Sequence, residues 1–440
     1  MLEQLFRLKL NKTDVKTEVV AGVTTFMTLS YIIFVQPTVL SACGMDFGAV
    51  LVATCVASAL ATFVMGFYAN YPVALAPGMG QNFFFAYTVV LKMGIPWEKA
   101  MGAVFISGAL FLVLSFFGFR EKLIDGIPDS LKEAIAVGIG LFIAMIGFQW
   151  SGIVVGSPST LVGLGSLHSA PVLLSLFGLV LTVILACMRV RGALLWGILA
   201  TALAGLPMGV VKYHGILGRV PSIAPTFLRL DVRGAFDLGL VSVIFVFFFL
   251  ALFDSVGTLI GVSNQAGLLV NGKLPRAKEA LAADAFGSVS GALLGTSTVT
   301  AYVESAAGVA EGGRTGLANV VTGVLMLASL FLYPLSRMVG DGYKMAGGIQ
   351  IYPVVAPALI VVGSMMLRNV RRIRWDDATE AIPAFLTMVL MPFAFSITEG
   401  IAFGFISYSL LKLITGKGRE VHGLVYLFAA LFVVRYIFLQ

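Results

Sequence analysis

The sequence predicts an all-α polytopic membrane protein that crosses the bilayer 14 times as a 7+7 inverted repeat. Three observations carry this. Hydrophobic residues make up 59% of the 440 positions and charged residues only 12%, about half the charge of an ordinary soluble domain. Apolar runs approaching the ~20 residues of a membrane helix recur along the whole chain. Basic residues gather in alternate connecting segments. So few polar side chains cannot cover a protein of this size, so lipid must.

The apolar runs lie at 19–41, 47–69, 72–91, 99–118, 131–149, 169–188, 191–211, 238–262, 278–294, 296–312, 314–335, 349–367, 380–397 and 399–416. The third is interrupted by Pro72, Pro77, Gly78 and Gly80, and the tenth by Ser297, Thr298, Thr300 and Glu304. Charge decides whether these two span. With both counted and the amino terminus inside, 20 Lys and Arg fall on the cytoplasmic side and 8 outside, Arg435 in the tail being unassigned. Without them the alternation is lost, so both are kept as broken spans. The tail at 422–439 reads as an interfacial helix or an extra span.

This divides the chain into a cytoplasmic arm (1–18), a first seven-span repeat (19–211) and an outer loop (212–237). A second seven-span repeat (238–416) and a tail (417–440) follow. An odd number of spans per repeat inverts the halves. The breaks fall third in each, at Pro77-Gly78-Met79-Gly80 and Gly295-Thr296-Ser297-Thr298. Matched breaks are the sequence mark of a transporter's binding site, because non-helical backbone at membrane depth survives only inside protein or along a cavity. The β-prone stretches Val73–Ala76 and Val299–Val303 are expected to pair as short strands. Half-helices would begin near Gln81-Asn82 and Glu304-Ser305, with free N–H donors at their N-termini.

Other readings fall away. The net charge of +7 comes from short loops that set topology, so no nucleic-acid partner is expected. Cys43, Cys55 and Cys187 lack metal spacing and are odd in number. His168, His214 and His422 lie outside the predicted spans. No metal or other cofactor is expected. The first 18 residues lack the apolar stretch of a signal peptide and read as an interfacial arm.

Three acids fall well inside spans: Asp254, Asp284 and Glu304. A charge at the bilayer centre costs roughly 3 kcal/mol or more, so such groups face a cavity, pair, or carry a proton. Asp254 has no basic residue near it in sequence, and Thr258, one turn on, is placed to orient it. Glu304 sits at the mouth of the tenth half-helix, where the helix dipole favours an anion. Asn82 holds the matching place in the third span and offers both a donor and an acceptor. Tyr302, two before Glu304 on a strand, faces the same side. Asp284 is read as a capping or bridging residue, and Ser305 as a supporting one.

The motifs Thr17–Phe26, Ala76-Pro77-Gly78-Met79-Gly80-Gln81-Asn82, Phe253–Leu259 and Gly295–Ser305 resemble those of the adenine/guanine/hypoxanthine permeases, a branch of the nucleobase–ascorbate transporter superfamily. The likeness runs from Leu10 to Lys417. It implies a core domain (spans 1–4 and 8–11), a gate domain (5–7 and 12–14) and proton-coupled purine uptake in the cell membrane. It also implies Asn82, Asp254 and Glu304 at the substrate, Tyr302 joining them from the residue reading. The expected partners are a purine base, a proton and the bilayer, and a homodimer through the gate domains is left open. Both termini are expected to be cytoplasmic. Members more often carry Leu before the Asn and a small residue after it; here Gln81 and Phe83 stand there, which leaves the preferred purine open. Two other classes fit the sequence less well. An intramembrane aspartyl protease could pair Asp254 with Asp284, but its Gly-x-Gly-Asp motif is absent. An anion transporter of the same fold sits badly with a carboxylate at the helix mouth.

Overall fold

The computed structural model describes residues 2–116, 127–236, 238–269, 274–345 and 348–438. All 14 predicted segments are present as helices or broken helices. The first half comprises α2 (Val15–Leu29) running into α3 (Ile32–Ser41), α4 (Phe47–Val64), and the third segment, β1 (Leu75–Pro77) followed by α5 (Met79–Phe83). It continues with α6 (Trp97–Phe116), α7 (Asp129–Trp150), α8 (Ala170–Cys187) and α9 (Ala193–Gly205). The second half comprises α10 (Leu238–Gln265), α11 (Ala277–Leu294), and β4 (Val299–Ala301) followed by α12 (Ser305–Ala310). Then come α13 (Gly316–Ala328) with α14 (Tyr333–Gly340), α15 (Ala356–Met366), α16 (Ala378–Phe393) and α17 (Ile397–Ile414). Among the described residues, eight stretches are long and apolar enough to cross on their own. The others are broken, shorter or more polar, and reach membrane depth by packing on their neighbours.

The helix pairings repeat with the halves inverted. The α6–α11 contact is mirrored by α4–α13, α6–α10 by α2–α13, and α7–α16 by α8–α15. Spans 1–4 and 8–11 pack as one group and spans 5–7 and 12–14 as another, the core and the gate. Backbones approach closely within the core. A Cβ on Gly316 would stand 1.9 Å from the Gly66 carbonyl oxygen, so only glycine fits there.

At the centre, β1 and β4 pair antiparallel, with Leu75 opposite Ala301, Ala76 opposite Thr300 and Pro77 opposite Val299. The pairing extends through Gly78 N–H to the Thr298 carbonyl (2.9 Å) and Tyr302 N–H to the Ala74 carbonyl (3.0 Å). Two strands leave outer edges whose polar groups must be met. On β1 the Thr62 hydroxyl accepts from Leu75 N–H (2.9 Å) and donates to its carbonyl (3.1 Å). On β4 Asp284 accepts from Ala301 N–H (2.8 Å) and Ser288 donates to the Val299 carbonyl (2.9 Å). These come from α4 and α11, the second helix of each half.

Two elements differ from expectation. The amino-terminal arm forms α1 (Leu2–Phe6) and docks on the core: Phe6 is buried, packed with Leu317 and 5.8 Å from the Phe67 ring. Span 1 begins at Val15 rather than 19, because Asp14 caps it by accepting from Thr17 N–H (2.8 Å). The tail forms α18 (Gly423–Phe438), packed along α17. Two hairpins lie on the face opposite the amino terminus: β2 (Val154–Ser157) with β3 (Leu161–Leu164), and β5 (Tyr343–Lys344) with β6 (Gln350–Ile351).

Candidate substrate site

The crossing of the two broken spans brings Asp254, Glu304, Tyr302 and Asn82 together. Asp254 projects from the middle of α10 toward β4, where Thr300 donates its hydroxyl to the carboxylate (3.1 Å). The Gln81 amide also faces this carboxylate, and Glu304 is near enough to feel its charge. Glu304 stands in the turn that opens α12 and accepts from the Tyr31 hydroxyl (2.8 Å). Thr28 holds the Glu304 backbone carbonyl (3.2 Å). Tyr302 donates its hydroxyl to the Pro77 carbonyl, and that hydroxyl lies beside the hydroxyl of Tyr31. Tyr31 thus gathers Tyr302 and Glu304 at the bend between α2 and α3.

Asn82 lies in the first turn of α5, which starts at Met79 with Gly78 as its cap, two residues earlier than expected. Its amide bridges the two breaks, donating to the Pro77 carbonyl (3.3 Å) and accepting from the Ser297 hydroxyl. Gln36 of α3 holds the second break, donating to Thr296 (3.0 Å) and Ser297 (3.1 Å). Gly78 leaves room for Gln81, whose carbonyl oxygen would collide with any Cβ there. Among the described residues, buried Gln36 Oε1, Gln81 Oε1 and Thr298 Oγ1 lack a protein hydrogen-bond partner. Each such orphan costs about 1–3 kcal/mol, which favours a polar ligand able to meet them.

The supporting residues divide. Ser305 accepts from Ala74 N–H (3.0 Å) and so ties α12 to β1. Asp284 accepts from Ser255 and from Ala301 N–H, bracing α10, α11 and β4. Thr258 makes no hydrogen bond to Asp254. The orienting hydroxyl is that of Thr300, because a strand crossing the helix meets the carboxylate head-on, whereas an i+4 neighbour lies alongside it. No ion pair among the described residues involves Asp254 or Glu304.

Access is one-sided. Asp254 is exposed and Glu304 half-buried despite their depth in the chain. An open strip continues along α10 through Gly257 and Gly261, which have no heavy atom within 4 Å of a built Cβ, to exposed Gln265. That end of α10 packs with Ala69 and Tyr71, on the amino-terminal face. Toward the other face the way is closed by rings. Phe83 stacks on Tyr87 (5.9 Å) and meets Trp150 (6.0 Å), and Trp150 packs on Tyr352 (4.4 Å). Above this plug lies a cavity of about 790 Å³ lined by Ser41, Tyr87, Trp150, Arg337, Asp341 and Tyr352.

The sequence profile of the Permease family matches residues 16–403, and thus both broken spans and all four candidate contacts. The chain belongs to this permease family. It is a multi-pass membrane permease rather than an enzyme. Among its relatives, an adenine permease of Escherichia coli is 48% identical over 100% of this chain and 97% of its own length. A guanine/hypoxanthine permease of Bacillus subtilis is 47% identical over 97% of this chain and 98% of its own. The transmembrane domain of a cyanobacterial bicarbonate transporter superposes with a TM-score of 0.62 at 14% identity, covering 88% of this permease and 96% of that chain. A murine solute carrier 26 anion transporter gives 0.63 at 12%, covering 91% and 68%. At such identities the likeness is one of fold.

Sequence reading missed Tyr31, Thr28, Gln36 and Thr300 as neighbours of this candidate site. Tyr31 and Gln36 were visible as polar groups inside an apolar run, the same signal that exposed the acids.

Proposed function

We propose that this permease imports purine nucleobases together with a proton, by movement of the core past the gate. The observation that carries the reading is the pair Asp254 and Glu304, only partly covered at the crossing of the half-helices and without a basic partner among the described residues. Two carboxylates are acceptors for the ring and exocyclic N–H groups of a purine, and groups that can take and release a proton. Tyr31, Thr300 and the Gln81 amide hold them, while the partnerless Thr298 hydroxyl offers a donor to a ring nitrogen. The names of the relatives support purine over other small solutes. The strip open on one face and the aromatic plug on the other fit one state of an alternating-access carrier.

Uptake of radiolabelled adenine, guanine, hypoxanthine, xanthine and uracil, with and without an uncoupler, tests this. Saturable purine accumulation that collapses with the uncoupler is expected. Accumulation insensitive to the uncoupler would remove the proton from the scheme, and uptake of none of the purines would remove the substrate class.

A further inference from the structure

The tail helix α18 has three features that set it apart from an interfacial helix. Among the described residues its exposed large side chains are all apolar: Leu427, Leu431, Val433, Val434 and Ile437. A helix lying in the headgroup plane needs a polar face, and the single charge here, Arg435, is spent in a salt bridge to Glu399 (2.9 Å). Second, α18 runs antiparallel along α17 for its whole length. Its entry turn is held where α17 ends, by Lys412 to Glu420 (3.4 Å) and Tyr426 to the Gly418 carbonyl (2.9 Å). Its far end is held where α17 begins, by Arg435 and Tyr436 on Glu399. Sixteen residues rise about 24 Å, close to the hydrocarbon thickness and within what a short span tolerates.

Third, the helix touches two bodies by different means. Among the described residues, every polar tie, at both ends, goes to the gate (to α17, or from Lys417 to Asp377 at the start of α16) or stays within the tail. Toward the core it offers apolar side chains: Phe428 packs on Phe245 (4.6 Å) and Phe249 (6.2 Å) of α10, Phe432 on Phe245 (6.3 Å), and Leu424 against the cluster of Phe111, Phe248 and Leu252. The same Phe428 also meets Phe405 of α17 (5.7 Å). Each apolar contact is individually weak and can be exchanged for another along a surface, whereas charge-assisted hydrogen bonds hold one donor to one acceptor.

We propose that α18 is a fifteenth crossing, fixed to the gate, that puts the carboxyl terminus on the face opposite the amino terminus and lies as a strap along which the Asp254-bearing helix slides. This departs from the expectation that both termini share the cytoplasmic side.

Two measurements test it, both in a Cys187→Ser background, since Cys43 and Cys55 are buried. Single cysteines, Lys417→Cys and Ile437→Cys, are probed with a membrane-impermeant maleimide on intact cells and on inverted vesicles. The two are expected to label from opposite sides; labelling from the same side overturns the crossing. The second arm rests on the transport reading above. Paired cysteines are oxidised at Phe428 with Phe245, or at Phe428 with Phe405. The link to the core is expected to reduce uptake to that of cells lacking the protein, reversibly on reduction, while the link to the gate leaves it intact. Full uptake with the core link formed, or equal loss with both, overturns the strap. If the unlinked protein takes up no purine, it is the proposed function that fails, and the labelling result still decides the crossing.

Discussion

Trp150 donates its indole N–H to the Tyr87 hydroxyl at 2.7 Å, joining the end of gate helix α7 to the half-helix segment that carries Asn82. It lies at the floor of the 790 Å³ cavity, so core and gate can part on that face only by breaking it. Removing one such bond shifts a two-state balance by about 1 kcal/mol, or roughly fivefold. Tyr87→Phe is therefore expected to speed maleimide labelling of a Met79→Cys reporter, buried on the same half-helix, from the outer face by about that factor. Unchanged labelling would mean that ring packing alone closes this face.

Asp254→Asn keeps the shape of the site and the hydrogen bond from Thr300 but cannot change charge. Purine accumulation against a gradient is expected to vanish. Thr300→Val, which only frees the carboxylate to swing, is expected to lower uptake about tenfold, the worth of one charge-assisted hydrogen bond. Normal accumulation by Asp254→Asn would take Asp254 out of the coupling scheme.

Glu18 has no part in the site yet is fully buried. It accepts from the backbone N–H groups of Arg314 (2.8 Å), Thr315 (3.2 Å) and Ala318 (3.2 Å), capping the start of α13 from α2. Glu18→Ala orphans all three donors. A loss of about 3 kcal/mol or more is expected, read as a marked fall in melting temperature in detergent, with Glu18→Gln falling between.

Asp377, on the loop before α16, caps that helix through Thr379 and pairs with Lys417 at 3.0 Å. The Thr379 hydrogen bonds and the Lys417 ammonium hold its carboxyl well below the usual carboxylate range. A depressed folded value contributes stability above the unfolded value of about 3.9 and loses it as pH falls toward the folded one. The melting difference between wild type and Asp377→Ala should therefore be flat from neutral pH down to about pH 5. It should shrink only in stronger acid. A difference that already narrows near neutrality would contradict this assignment.

Much of this was legible in the sequence, and the reasons are physical. Hydropathy has to mark every lipid-facing segment, so all 14 runs could be read from it. The breaks at Pro77–Gly80 and Gly295–Thr298 were visible because irregular backbone needs residues that helices avoid. Even the strand pair followed from β-prone residues at matched positions. What stayed hidden were pairings between residues far apart in the chain. Tyr31 meets Glu304 across 273 positions and Ser297 meets Asn82 across 215. Local spacing favoured Thr258 as the partner of Asp254, and only the three-dimensional crossing substitutes Thr300. The tail was ambiguous because length and hydropathy alone do not separate a crossing from a surface helix, and its partner Glu399 lies far away in the sequence.

The strand pair has a consequence for biogenesis. Ala76 and Thr300 face each other in the ladder, yet more than two hundred residues of translation separate them, on the order of ten to forty seconds at ~5–20 residues per second. For that interval β1 waits in a half-built protein with an unpaired edge that hydrocarbon will not accept. Thr62, synthesised just before it, meets both the N–H and the carbonyl of Leu75 and can shelter that part of the strand from the moment α4 packs. The remaining ladder groups stay unmet until β4 arrives, so the first half cannot mature alone. A chain cut in the 212–237 loop should be degraded unless its second half is made in the same cell.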